Sequence, residues 1–397
     1  MVEKPFKIFM VAGEASADLS AASLLQHLKK ALPNLTAFGV GGENLKSEGM
    51  ELVVEARHLS LMGIAEWAHK IPEIWGHFQR VKKSIRVEKP DFAILLDLPD
   101  FNLMMAKQLK KLGIPVIYYI SPQVWAWRTY RVHKIKKLVD KMLVVFPFEE
   151  EFYKKYDVPV EFVGHPLLDR ISIKESVRSQ SEVLEAPRIA LLPGSRHSEL
   201  NFLSSLLNEV VTELKKEFPK AHFKIPVAPT FSLEEVKQKF PENVELVKGN
   251  SNEVRAWADI GLIASGTATL ETALMGLPFC LFYKVSRSSS FVFKYVAKYT
   301  GWIGMPNVLV KKEVAPEFFQ EKANVKNLVD YCRKAIRNEE YRKSQREELL
   351  KCRTLLGTGN GTEKAAASIV DFLNQLKLRS NPLESHGKYF KTQIAGV

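Results

Sequence analysis

The chain has 397 residues, 46% hydrophobic and 26% charged, with a formal charge of +12 at neutral pH. That length exceeds one ordinary core and argues for two domains, and the composition suits a globular protein with a large core and argues against a disordered chain. Three cysteines in no metal-type spacing exclude a disulfide framework and point to a reducing compartment.

The opening residues lack a signal-peptide pattern, and no apolar run reaches the ~20 residues that cross a bilayer. The basic excess fits a polyanionic partner (nucleic acid, anionic lipid or a phosphorylated substrate) or serves solubility alone.

Short apolar runs alternate with helical patterns, as in βα units on a parallel sheet. Residues 6–11 read as the first strand, followed by the loop Ala12-Gly13-Glu14-Ala15-Ser16-Ala17-Asp18 and a helix over 19–32. Further strands are expected at 35–40, 92–96, 116–120, 142–145 and 160–163. Residues 169–187 are polar and aperiodic, the mark of a linker. A second series then has strands at 188–192, 223–226, 244–247, 260–263 and 279–282. Residues 322–376 are mainly helical, broken by the GTGNG at 357–361, and 377–397 form a basic, irregular tail. The reading is α/β, with domains over 1–169 and 187–376.

Between the second and third strands, Ile64, Trp67, Ile71, Ile74, Trp75, Phe78 and Val81 fall at alternating three and four spacings on one helical face, with Lys70, His77, Arg80, Lys82 and Lys83 around it. Such a stripe suits either a helix lying on an anionic membrane or one packed on its own sheet. Pro72 is expected to bend that helix or restart it.

Ligands of parallel sheets bind beyond the carboxyl ends of the strands, so the strand-to-helix loops are where chemistry is sought. Glu14 is flanked by small residues that leave room for a ligand; its carboxylate could bind a sugar hydroxyl, act as a base, or be a plain loop acid. Asp97 and Asp100 follow a buried strand. A carboxylate there is costly unless hydrogen-bonded or used, so one is a candidate general base and Asp100 alternatively caps the next helix. The loop Ser121-Pro122-Gln123-Val124-Trp125-Ala126-Trp127-Arg128 offers aromatic faces and a cation to sugar, acyl chain or phosphate, or packing. His165 is a candidate for donor phosphates or a structural histidine.

In the second series, Leu191-Leu192-Pro193-Gly194-Ser195-Arg196 joins a strand to a helix. Gly194 permits a sharp turn, Ser195 caps or donates, and Arg196 offers a fork for phosphate beside the positive helix end. The loop Ser265-Gly266-Thr267 forms a second such nest, with Glu271 one turn later where it could accept ribose hydroxyls or cap. Neither loop is a P-loop.

In their order along the chain, Ala12-Gly13-Glu14 with Ser16 and Asp18, Met62-Gly63-Ile64, residues 97–102, 121–128, 191–196 and 265–271, and Pro306-Asn307 together resemble the lipid A disaccharide synthases. The resemblance implies the GT-B fold, two Rossmann-like parallel-sheet domains facing across a cleft, the first binding acceptor and the second UDP-sugar. It implies an inverting, metal-independent transfer of 2,3-diacylglucosamine from UDP-2,3-diacylglucosamine to 2,3-diacylglucosamine 1-phosphate, with no cofactor. It further implies a peripheral location on the cytoplasmic face of a Gram-negative inner membrane, no nucleic-acid partner, and a homodimer in some members.

By the same resemblance Asp97 is the essential aspartate and Glu14 its companion. The donor motifs fall on Ser195, Arg196, Gly266, Thr267, Glu271 and Asn307; Gly194, Ser265 and His165 stay donor candidates from the reading of their own loops. Met62, Ile64, Trp67, Trp75, Trp125 and Arg128 are the residues expected to meet substrate or membrane. One departure is visible: the family usually has Ser-Gly-Asp where this chain has Ser16-Ala17-Asp18, and alanine does not readily take positive φ. The competing expectations are a UDP-sugar epimerase on the same frame, a basic nucleic-acid-binding protein, and a non-catalytic membrane scaffold.

Overall fold

The structure is a computed structural model. It describes residues 6–59, 64–126, 128–171, 183–284 and 301–380, without the side chains of 64–71 and 377–380. The chain divides into two compact units, Met1–Gly164 with Asn360–Val397, and His165–Gly359.

In the first unit β1 (Lys7–Ala12), α1 (Ala15–Ala31), β2 (Thr36–Gly41), α2 (Glu43–Ser47), β3 (Glu51–Glu55), α3 (Ile64–Glu88) and β4 (Phe92–Leu96) are followed by α4 (Pro99–Lys111), β5 (Val116–Tyr119), α5 (Val132–Leu138), β6 (Lys141–Val144), α6 (Pro147–Lys154) and β7 (Val160–Phe162). The strands form one parallel sheet in the order β3-β2-β1-β4-β5-β6-β7. Its central strands are unbroken apolar runs because helices cover both faces; all five residues of β4 are buried.

The second unit runs α7 (Leu167–Arg170), β8 (Arg188–Leu192), α8 (His197–Glu217), β9 (His222–Val227), α9 (Leu233–Lys237), β10 (Val244–Lys248), α10 (Ser251–Trp257) and β11 (Ile260–Ala264). It continues with α11 (Thr267–Leu274), β12 (Phe279–Tyr283), α12 (Met305–Val310), β13 (Glu317–Phe319), α13 (Val325–Arg337) and α14 (Glu339–Leu355). Its sheet is parallel in the order β10-β9-β8-β11-β12-β13. Each sheet has its own core: Phe9, Leu95 and Val116 in the first, Ile189, Leu262 and Phe282 in the second.

The last helix, α15 (Gly361–Ser380), belongs to the first unit, where Ser368 donates to Glu161 of β7. This departs from the expected second domain over 187–376, and the helix continues past the point where the irregular tail was expected. The return occurs in the GTGNG break, where Gly357, Gly359 and Asn360 all take positive φ. Two edge strands, β3 and β13, escaped the sequence reading because one is bounded by glutamates and the other has three residues.

Three local expectations are also settled. Ala17 lies inside α1, buried, in helical conformation, so the missing glycine imposes no strain. Asp18, 3% exposed, accepts the N–H groups of Gly42 at 2.6 Å and Asn44 at 3.0 Å, capping α2 from a distance.

Helix α3 runs through Pro72 without interruption. Its apolar stripe is not one surface: Phe78 and Val81 are buried with Ile85 in the sheet core and Ile74 packs against it, while Trp75 stands 56% exposed. The expected lipid strip therefore loses its C-terminal half to the sheet. Met62 lies outside the described residues, as do the side chains of Ile64 and Trp67.

Candidate active site

In each sheet the strand order reverses at one place, between β1 and β4 in the first and between β8 and β11 in the second. Loops leaving neighbouring strands in opposite directions open a crevice there. Glu14 and Asp97 follow β1 and β4. Gly194–Arg196 and Ser265–Thr267 follow β8 and β11. The carboxylates are thus gathered in one unit and the anion-nest loops in the other.

The two loops of the first unit interlock. A Cβ on Gly13 would stand 2.1 Å from Cγ of Leu98, so any side chain there would have to displace that of Leu98 in the β4 turn. Glu14 is exposed at the start of α1. Asp97 and Leu98 take φ of 56° and 37°, two successive left-handed residues without a glycine. Such a turn costs ~1–2 kcal/mol per residue and persists only where its surroundings impose it. Here the Asp97 carbonyl accepts the Tyr118 hydroxyl at 2.8 Å and the Asn102 amide. Asp100 is not the cap of α4: it lies in the first turn, within 3.7 Å of Arg128 and bonded to Arg131.

Trp125 has an internal partner the sequence did not disclose. Its indole donates to Oε1 of Glu149 at 3.2 Å, and the Ser121 hydroxyl donates to the same oxygen at 2.7 Å. Oε2 accepts the Phe146 amide at 3.2 Å. Glu149 is 1% exposed, and burial pushes its pKa up to about 7 against these hydrogen bonds. A buried acid therefore fastens the Ser121–Trp125 loop beside the Asp97 turn. Arg128, at φ 60°, follows that loop; Trp127 lies outside the described residues.

In the second unit the β8 loop turns at Gly194, φ 101°. Its amides are already engaged: Ser195 and Arg196 donate to Oε2 of Glu199 at 3.2 and 3.3 Å. The β11 loop differs, since Gly266 at the head of α11 carries no side-chain cap. Glu271 is held by the buried Arg255 at 2.6 Å and keeps 27% exposure. Arg255 is itself fixed by Thr272, Ser251 and Asn252.

Asn307 is fully buried and spends its amide internally. Its nitrogen donates to Ala315 and Glu317, and its oxygen accepts Val314 and Ala315, all at 2.7–2.8 Å. That fills its hydrogen-bonding capacity, so in this conformation it holds its own loop rather than a donor.

His165 accepts the Leu167 amide on Nδ1 at 3.1 Å, and burial pushes its pKa down to about 3. The ring is neutral at pH 7 with its proton on Nε2, a donor suited to an anion.

Glu199 was traceable in the sequence, standing three residues after the helix-opening Arg196 in capping-box spacing. Glu149 had the same spacing after Phe146; Arg255 had no signal. Among the described residues no group of His, Cys, Asp and Glu is arranged to hold a metal ion, and no helix is long and apolar enough to cross a membrane.

The fold is shared with solved structures of two chemistries. UDP-N-acetylglucosamine 2-epimerase from Neisseria meningitidis, solved with UDP-GlcNAc, matches with a TM-score of 0.59 at 13% identity, over 93% of this chain and 100% of that one. The glycosyltransferase of kitacinnamycin matches with 0.60 at 15%, over 93% and 99%. These likenesses establish the fold of two parallel-sheet units, with glycosyltransferases of the GT-B class among its neighbours, and do not separate transferase from epimerase.

The sequence does separate them. The family described as lipid-A-disaccharide synthetase matches residues 8–370. The lipid-A-disaccharide synthase of Myxococcus xanthus is 38% identical over 376 residues, spanning 93% of this chain and 98% of the relative. Over nearly its whole length, then, the chain is a member of the lipid-A-disaccharide synthase family, a family of glycosyltransferases.

Proposed function

We propose that the protein transfers 2,3-diacylglucosamine from its UDP derivative to the 6-hydroxyl of 2,3-diacylglucosamine 1-phosphate. Asp97 accepts the proton as the acceptor oxygen attacks the anomeric carbon. The bond from that carbon to UDP breaks in the same step, giving an inverted β-1′,6 linkage and free UDP. Glu14 orients the acceptor.

The donor half of the reading uses Arg196, the α11 terminus with Ser265, Gly266 and Thr267, and the Nε2–H of His165 to offset charge on departing UDP. Glu271, aimed by Arg255, accepts ribose hydroxyls. The observation that carries this reading is the coincidence of both sets of loops with the two switch points of the sheets.

The test supplies both substrates to the full chain. UDP and disaccharide 1-phosphate are expected in equal amounts, and only when donor and acceptor are both present. UDP released without disaccharide, or donor converted to its epimer, would overturn the assignment.

Acylated substrates place the enzyme at a lipid surface, here read as the cytoplasmic face of a Gram-negative inner membrane, with exposed Trp75 as a contact. Replacing Trp75 with Ser is expected to weaken flotation with anionic vesicles roughly tenfold, since withdrawing one large apolar side chain from lipid costs on the order of 1–2 kcal/mol. Unchanged flotation removes Trp75 from the contact.

A further inference from the structure

Glu199 sits where the β8 loop was expected to receive an anion from outside. Its side chain is 9% exposed. Oε2 takes the amides of Ser195 and Arg196, and Oε1 accepts Nη1 of Arg196 at 3.1 Å. Gly194 is shaped to this oxygen, for a Cβ there would stand 2.1 Å from Oε2. Three donors of the loop thus already hold a carboxylate, while the guanidinium of Arg196 remains 54% exposed.

We infer that Glu199 is a positioning residue for the transfer. It takes the loop amides itself and aims Arg196, so this loop grips the donor diphosphate through the guanidinium and not through its backbone. The backbone donors come instead from the terminus of α11, which has no side-chain cap. The inference rests on the donor reading above. Its physical basis is the flexibility of arginine: a long side chain fixed in advance by a carboxylate loses less freedom when the diphosphate binds.

The decisive variant is Glu199→Gln in the full chain. Glutamine serves at the third position of a capping box, so the unfolding temperature is expected to hold. UDP Kd by calorimetry and donor KM are expected to rise about tenfold, equivalent to ~1.4 kcal/mol. The kcat is expected to fall as well, since a guanidinium left unaimed offsets less of the charge on departing UDP, while the acceptor KM stays near that of the parent. In an Arg196→Ala background the same substitution is expected to add nothing, since it acts through that arginine. Should Glu199→Gln unfold the helix start, Glu199→Asp serves instead: it keeps the negative charge in the first turn of α8 but is one methylene shorter, so it reaches Arg196 less well, and the same rise in donor KM is expected.

Tighter UDP binding in Glu199→Gln would show that the carboxylate competes with the diphosphate and would overturn the inference. So would an equal loss with and without Arg196. If Arg196→Ala weakens UDP binding but Glu199→Gln does not, this inference alone falls. If Arg196→Ala binds UDP as the parent does, the donor reading falls with it.

Discussion

Asp97→Asn is expected to lower kcat by a factor on the order of 10³ while leaving UDP affinity unchanged, because it removes a proton acceptor without removing a side chain from the turn. Asparagine has the shape of aspartate and, among non-glycine residues, tolerates the left-handed conformation that Asp97 adopts at φ 56°. The Tyr118 and Asn102 bonds go to the Asp97 carbonyl, not to its carboxylate, so they survive the substitution.

The expected signature is therefore a nearly unchanged unfolding temperature and a collapse confined to the chemical step. In single turnover the bound donor should persist unreacted. The loss amounts to about 4 kcal/mol of transition-state stabilisation at 1.36 kcal/mol per decade. Turnover within a few-fold of the parent would take the base role from Asp97 and leave its strained turn to be explained by Leu98, whose packing over Gly13 joins the two loops.

How much of this was legible in the sequence follows from the range of the forces involved. Strands such as Phe92–Leu96 declared themselves because a parallel strand covered on both faces must be apolar throughout, then end in a turn. The loops after β1, β4, β8 and β11 were legible for the same reason, being polar and small-residue breaks at known strand ends.

What stayed hidden was decided by tertiary approach. Periodicity placed Phe78 and Trp75 in one stripe of α3, but which of them the sheet covers depends on helix rotation; Phe78 went inside and Trp75 did not. The same holds for α15, whose helical pattern could not say which unit its apolar face would meet. Arg255 looked like any surface arginine, because nothing local marks a guanidinium that folds inward onto Glu271. Asn307 shows the converse: a motif position whose side chain proves to be spent on its own loop.

Glu149 provides the sharpest consequence of such a hidden contact. Folding raises its pKa from 4.5 to about 7, with burial the leading cause. Between those values the native state holds a proton that the unfolded chain has released. Stability must then fall as pH rises through this window: the contribution is complete below pH 4.5 and is lost as pH climbs through about 7. At ~1.4 kcal/mol per pH unit the total is about 3 kcal/mol.

Glu149→Gln removes the titration while keeping one oxygen for Ser121 and Trp125. Its amide nitrogen meets the Phe146 N–H, a penalty that shifts stability by a constant and leaves the slope alone. The difference in unfolding temperature, variant minus parent, is therefore expected to grow by roughly 6–12 °C between pH 5 and pH 8, taking 2–4 °C per kcal/mol for a domain of this size. The growth should come from the parent losing stability, not from the variant gaining it. Parallel curves for the two proteins across that range would mean that Glu149 ionises in the folded chain as easily as in water. The Ser121–Trp125 loop would then have to be held by something other than a buried acid.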